Sequence, residues 1–179
     1  MRERESDNGN EHKPRLIFAY GTLKQGFPNY ALMQDLITKD DAVFIGSYST
    51  HNPYPLVCGP HGIPYLINLP GLGHRVKGDL FAVSDRAIAL LDEFEGVSLG
   101  FYERLPVRVV SDGEGDGAAV EKEAEAEAEA YFGHRRFGEA LWKRSGEVGM
   151  REYGEREARE YVRKEDRPGR RNTILDEFL

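Results

Sequence analysis

The chain has 179 residues, of which 40% are hydrophobic, enough to bury a sizeable core within one domain. A single cysteine precludes an intrachain disulfide, and no apolar run approaches the ~20 residues that a bilayer-spanning helix requires. The net charge of −7 arises in residues 111–130, and the balanced remainder indicates neither a nucleic-acid nor a membrane partner. With no secretory-type apolar stretch in residues 1–13, we expect a cytoplasmic protein.

The first elements follow from changes in hydrophobicity along the chain. Residues 1–13 are charged and without period, which predicts a disordered N-terminal arm. Leu16–Tyr20 is almost entirely apolar and predicts a strand buried on both faces. A short helix over Tyr30–Leu36 and a strand over Ala42–Tyr48 follow. Residues 52–73 are so dense in proline and glycine that only short strands joined by turns are expected.

The clearest helix pattern in the chain lies between Ser84 and Gly96. Ser84 is a good N-cap, Asp85 places a negative charge in the first turn, and Gly96 suits the position after the helix. Alternating hydrophobicity predicts strands on either side, over Val76–Val83 and Phe101–Val110. Strands and short helices in this mixed order indicate an α+β fold around a small, strongly curved mixed sheet.

The region after residue 110 is less regular. Residues 111–122 are acidic and glycine-rich and predict a flexible linker. Glu123–Ala130 alternates glutamate and alanine, and this period of two favours a final strand, continuing through Phe132, over a solvated helix. A helix over Arg151–Lys164 is expected next. Residues 14–110 would thus form the core, 123–166 a final strand and helical extension of the same domain, and 167–179 a frayed tail.

The basic residues after the acidic segment have two readings. Attraction to the acidic linker, or solubility alone, is the favoured one, and a localisation or nucleic-acid patch at Arg163–Arg171 is the alternative.

Nucleophile-elbow, phosphate-loop, dinucleotide and zinc-protease motifs are all absent. His51, Cys58 and His61 could form a Cys/His dyad or half a metal site, but structural or solvated side chains are the commoner reading. Paired CxxC metal ligands are impossible with one cysteine, and the residues by themselves indicate no metal site.

Helix geometry singles out Glu95. At 100° per residue, Glu95 falls between Leu91 and Ile88 on the core-facing arc, whereas Glu93 points to solvent. A carboxylate on an apolar stripe is costly unless it is paired or functional. Either Glu95 bonds a loop amide or an arginine such as Arg104 at the helix end, or its desolvated carboxyl serves as a general base.

The loop that ends the first strand is the second candidate site. A buried strand that ends in Gly21-Thr22 can expose successive backbone N–H groups, which suits a carboxylate, and glycine permits close approach of a ligand. The feature is weak by itself, because Gly-Thr ends many strands.

Together these motifs resemble the gamma-glutamylcyclotransferase-like superfamily. The resemblance rests on the sequence FAYGTLK at Phe18–Lys24, LDEFEG at Leu91–Gly96 and YER at Tyr102–Arg104. The segments PYPLV, GIPYL and LPG within residues 53–71 are similar to the gamma-glutamylaminecyclotransferase branch and its plant AIG2-like relatives. The match covers residues 16–110 strongly and the Ala130–Phe132 strand weakly. The acidic segment and the basic C-terminal stretch lie outside it.

The resemblance implies a barrel-like fold, a substrate loop and a catalytic glutamate. The glutamate corresponds to Glu95, acting as general acid and base, and the substrate-binding loop corresponds to Tyr20, Gly21, Thr22 and Leu23. The implied reaction closes the γ-glutamyl group of a small γ-glutamylamine into 5-oxoproline and releases the free amine, in a monomer without cofactor. Gamma-glutamyl amino acids or a glutathione-like peptide are alternative substrates.

Two questions stay open at this stage. Tyr102 could line the site, and Arg104 could too, although strand placement favours structural roles, such as a hydrogen bond to the helix end or an ion pair with Asp92 or Glu93. The same fold could also serve as a non-catalytic ligand-binding module in a stress or defence pathway, since a fold alone does not establish function.

Overall fold

The computed structural model describes residues 14–112, 124–168 and 174–178. The predicted N-terminal arm, residues 1–13, and all of the predicted linker except Ser111 and Asp112 lie outside these ranges. Ser111 ends a strand, and the Asp112 carboxylate accepts a hydrogen bond from the Ser49 hydroxyl at 2.5 Å.

The strands among the described residues are β1 Arg15–Ala19, β2 Ala42–Thr50, β3 Leu56–Cys58, β4 Pro64–Leu66, β5 Lys77–Val83, β6 Tyr102–Ser111 and β7 Glu125–Gly133. Five of them close into a small barrel, as the family resemblance implied. Their order is β1-β5-β2-β6-β7, and a parallel pairing of Ile17 in β1 with Glu129 in β7 completes the ring. Strand β4 extends the sheet from β7, and β3 pairs antiparallel with β4.

Strand β1 is buried on both faces, which explains its unbroken apolar run. Ile17 and Ala19 belong to one hydrophobic cluster and Phe18 belongs to another, so successive side chains enter different halves of the core. The structure also confirms the expectation of short strands joined by turns in the proline-rich region. This region contains β3, a single 3-10 turn over Pro60–Gly62, and β4.

The glutamate–alanine repeat is a strand, as its period of two indicated. Strand β7 pairs with β6 along its whole length. Ala128 and Ala130 are buried, whereas Glu127 points outward and lies 3.8 Å from Arg108 on β6. Pairing with β6 therefore outweighs the high helix propensity of alanine and glutamate.

The α-helices in the described ranges are α1 Tyr30–Thr38, α2 Asp85–Phe94, α3 Arg135–Arg144, α4 Glu155–Ala158 and α5 Ile174–Phe178. Helix α2 is the one predicted most fully from sequence. The Ser84 hydroxyl accepts a hydrogen bond from the Ala87 N–H at 3.0 Å, and Gly96 has a left-handed backbone, φ +66°. None of the helices in the described part of the chain is long and apolar enough to cross a bilayer.

Two predictions for the second half need correction. The expected helix over Arg151–Lys164 is wrong: only α4 and a 3-10 turn over Lys164–Asp166 are helical there. The expected frayed tail is wrong for α5, since Ile174 is buried in the core. Helix α3 was not predicted, although its buried Phe137, Leu141 and Trp142 follow helical spacing.

Candidate active site

A cavity of about 370 Å³ opens beside the end of β1. Its walls come from β1 and the loop after it, from the end of α2, from β6 and β7, and from the C-terminal segment. All the predicted site residues line this one cavity: Tyr20, Gly21, Thr22, Leu23, Glu95 and Tyr102. The volume lies within the range of ordinary small-molecule sites.

Glu95 is held at the end of α2 and lines the cavity. Its backbone N–H donates to the Leu91 carbonyl at 2.8 Å, so the last helical turn fixes where the side chain begins. Burial raises the pKa of the carboxyl group to about 7, and the nearby Lys164 ammonium opposes this rise. Among the described residues, its carboxylate has no hydrogen-bond or ion-pair partner, and the suggested bond from Arg104 is not formed. Glu95 is thus an unpaired acid with a raised pKa facing an open space.

The loop of residues 20–23 lines the same cavity. The Gly21 and Thr22 carbonyls accept hydrogen bonds from the N–H groups of Lys24 and Asn29, at 3.1 and 2.9 Å, which shape the loop. Within residues 14–112, 124–168 and 174–178, no protein acceptor is in bonding geometry for the N–H groups of Gly21, Thr22 and Leu23. Three donors at a cavity wall can hold an anionic oxygen.

The structure gives a packing reason for glycine at position 21. A Cβ built on Gly21 would lie 2.6 Å from Cγ of Pro64, a separation that no real side chain tolerates. Glycine is therefore required for close packing of the loop on β4. Its role in admitting a ligand, predicted from the sequence, remains a prediction.

Three buried tyrosines of the cavity have hydroxyl groups committed to other partners. Tyr20 donates to the Tyr131 carbonyl, Tyr102 donates to the Pro64 carbonyl at 2.8 Å, and Tyr131 donates to the Asp92 carboxylate at 2.7 Å. Burial raises the pKa of Tyr20, Tyr102 and Tyr131 above the ordinary tyrosine value. They remain neutral at physiological pH, and they supply rigid walls rather than proton donors for a substrate.

Arg104 supports the site from outside the cavity. Its guanidinium binds Asp92 at 2.9 Å and Glu129 at 2.8 Å, joining α2 to the barrel. The hydrogen bond with Asp92 raises the pKa of Arg104 further. The structure thus confirms the predicted Arg104–Asp92 ion pair, whereas Tyr102 both lines the cavity and bonds Pro64 instead of the helix end.

Sequence reasoning missed the C-terminal contribution. Tyr161, Lys164, Arg167 and Ile174 line the cavity, although they follow Glu95 by 66 to 79 positions. No local periodicity signals this contact, because it depends on the path of an irregular segment across the barrel. The structure adds no support for a metal site at His51, Cys58 and His61. The described residues include no group of three or more His, Cys, Asp or Glu side chains that could hold a metal ion.

Comparison with known proteins identifies similar sequences and a similar fold. The family described as "Gamma-glutamyl cyclotransferase, AIG2-like" matches residues 17–147. A candidate gamma-glutamylcyclotransferase of Arabidopsis thaliana is 48% identical over 157 residues, which cover 86% of this chain and 84% of that protein. The gamma-glutamylaminecyclotransferase of Bos taurus is 45% identical over 98 residues, covering 54% of this chain and 57% of the bovine protein. The crystal structure of a Mus musculus AIG2-like protein superposes with a TM-score of 0.66 at 30% identity, covering 87% of this chain and 100% of the mouse chain.

Proposed function

Because the chain belongs to the gamma-glutamyl cyclotransferase, AIG2-like family, we propose that it converts a small γ-glutamylamine into 5-oxoproline and a free amine. One observation carries the proposal: Glu95, unpaired among the described residues and with its pKa raised to about 7, shares a cavity with the unused N–H groups of Gly21, Thr22 and Leu23. A base and an anion-binding loop are what this cyclisation requires.

Glu95 is the proposed general acid and base. The substrate's α-amine, mostly protonated near neutral pH, must lose a proton before its nitrogen attacks the γ-carbonyl carbon. Once the ammonium has released one proton to water, the amine attacks and a new C–N bond closes the five-membered ring. Glu95 takes a second proton from this nitrogen and returns it to the departing nitrogen as the bond between that nitrogen and carbon breaks. A pKa of about 7 suits both steps, because the carboxyl group is partly ionised at physiological pH.

The loop of residues 20–23 is the proposed binding element. Its free N–H groups would hold the α-carboxylate of the glutamyl group or the oxyanion that forms on the attacked carbonyl. The buried Tyr20, Tyr102 and Tyr131 would keep the substrate folded. Since nucleophile and carbonyl belong to the same molecule, holding this near-attack shape supplies much of the acceleration.

The remaining features of the proposal concern surroundings and partners. The reaction is an intramolecular acyl transfer that needs no external acceptor, so we propose that it proceeds without a metal or cofactor. One chain supplies both Glu95 and the loop, which favours a monomer. Balanced charge outside the acidic segment and a single cysteine favour a cytoplasmic enzyme with a small-molecule partner.

The test is release of 5-oxoproline from a panel of γ-glutamylamines, γ-glutamyl amino acids and glutathione. We expect turnover of at least one γ-glutamylamine by the wild-type protein and its loss in Glu95→Gln. Glu139→Gln is the matched control, because Glu139 lies on the exposed face of α3 beside Lys143. Binding of these compounds without release of 5-oxoproline would instead favour the non-catalytic ligand-binding module.

A further inference from the structure

One wall of the active-site cavity comes from a part of the chain that the family match does not include. Tyr161, Lys164, Arg167 and Ile174 all line the cavity, whereas the match to the family ends at residue 147. This wall thus lies outside the part of the chain that the family model matches.

Hydrogen bonds fasten this wall to both sides of the site. The Tyr161 hydroxyl accepts from the Asn29 side-chain amide at 2.9 Å and from the Arg167 guanidinium at 3.3 Å. The Lys164 ammonium donates to the Phe94 carbonyl at 2.7 Å, directly before Glu95, and lies 4.8 Å from the centre of the Phe94 ring. These bonds hold both cationic side chains at the rim of the cavity, where Lys164 is exposed to solvent and Arg167 is half-buried.

Both cations have hydrogen-bond donors that no described residue uses. Among the described residues, neither Lys164 nor Arg167 forms an ion pair with a carboxylate. An ammonium has three donors and a guanidinium five, while Lys164 uses one and Arg167 two in the bonds to Phe94, Val162 and Tyr161. When the N–H groups of the 20–23 loop hold the substrate's α-carboxylate, as one form of the proposed function has it, both cations are available to a second anionic group.

We propose that Lys164 and Arg167 are specificity-determining residues that recognise a carboxylate on the leaving amine. The preferred substrate would then be a γ-glutamyl conjugate of an amino acid rather than of a simple alkylamine, and a polyamine would meet like charge. The inference rests on the proposed function, because it assigns part of the same cavity to the leaving group of that reaction. A hydrogen bond between charged groups is stronger than one between neutral groups, and salt weakens it.

Two matched substrates test this assignment. γ-Glutamyl-6-aminohexanoate and γ-glutamylpentylamine have the same five-carbon chain and differ only in the terminal carboxylate. We expect the wild-type protein to prefer the carboxylate compound about tenfold in kcat/KM, mainly through KM, and the preference to shrink in about 0.5 M salt. Lys164→Met and Arg167→Met should each reduce the ratio about threefold, whereas Arg167→Lys should keep most of it. Arg163→Met is the control for net charge, because Arg163 bonds the Pro28 carbonyl and does not line the cavity.

Equilibrium binding separates this inference from the proposed reaction. Calorimetry with Glu95→Gln protein compares the two compounds without turnover. Preferential binding of the carboxylate compound, reduced about threefold when Lys164→Met is added to Glu95→Gln, supports the inference even if no 5-oxoproline is ever released. Turnover of both compounds at equal kcat/KM, or an equal loss for both in the variants, would overturn the inference while leaving the reaction intact. Failure of both compounds to bind would overturn the two together.

Discussion

Replacing Glu95 with glutamine should stabilise the protein, and the gain should depend on pH. Burial raises the pKa of the Glu95 carboxyl from 4.5 to about 7, so above pH 7 the folded protein holds an ionised group that it solvates poorly. Glutamine has almost the same size and no charge. The variant should therefore avoid the free-energy cost of burying a charge, at every pH at which Glu95 is ionised in the wild-type protein.

The size of the effect follows from the pKa shift. At about 1.4 kcal/mol per pKa unit, the full shift corresponds to about 3 kcal/mol. Between the unfolded and folded pKa values the folded wild-type protein binds more protons than the unfolded chain, so its stability falls as pH rises through this window. About 2.5 kcal/mol of the loss falls between pH 5 and pH 8, so nearly the full cost is present at pH 8. For a chain of this size, this should raise the Tm of Glu95→Gln relative to wild type by about 8 °C at pH 8.

Thermal unfolding of wild type, Glu95→Gln and the Glu139→Gln control at pH 5, 6, 7 and 8 measures this difference. The Tm of Glu95→Gln should rise relative to wild type along the series, while the control stays level. A Glu95→Gln protein that is less stable than wild type at pH 8, by an amount independent of pH, would refute the reasoning. It would mean that the ionised carboxylate makes a stabilising bond.

Three further predictions concern the scaffold. Gly21→Ala places a Cβ 2.6 Å from Cγ of Pro64 and should cost about 1–3 kcal/mol in urea unfolding, with part of the loss recovered by adding Pro64→Ala; full stability of the single variant would contradict the packing role. Arg104→Met leaves two partly buried carboxylates without their shared partner and should lower stability by about 1–3 kcal/mol, whereas an unchanged midpoint would deny it a structural role. Shortening residues 112–122 to a brief Gly/Ser loop should leave 5-oxoproline release within a few fold, and collapse of activity in a folded variant would implicate that segment in the site.

Local sequence patterns predicted the elements that depend on local interactions. The Ser84 cap, the apolar face of α2 and the left-handed Gly96 belong to one continuous stretch, and the structure reproduces each of them. Helix α3 was not predicted, because its many charged residues and Gly138 mask the apolar pattern to which the buried Phe137 belongs. Over residues 151–164, favourable helix composition was overridden by tertiary contacts, among them the bond from the Tyr153 hydroxyl to the Gly62 carbonyl.

The residues of the candidate site also differ in how far the sequence alone could predict their roles. The position of Glu95 on the inner arc of α2 could be read from helical geometry, and its place on the cavity agrees with that reading. Its lack of a partner among the described residues could not be read, because Arg104 was equally available until the structure showed it bound to Asp92. The positions of Lys164 and Arg167, and whether the N–H groups of the 20–23 loop find acceptors, depend on the tertiary path of the chain. Hydrophobic periodicity carries no information about that path.

The pH dependence of 5-oxoproline release tests the role of Glu95 most directly. In the wild-type protein, kcat/KM for the best γ-glutamyl substrate should rise with an inflection near pH 7, as Glu95 ionises in the free enzyme. In Glu95→Gln, kcat/KM should fall by about 10²- to 10⁴-fold, the usual contribution of a positioned acid–base group, and this inflection should vanish. A Glu95→Gln protein that keeps both the wild-type rate and the inflection near pH 7 would contradict the assignment of Glu95 as the general base.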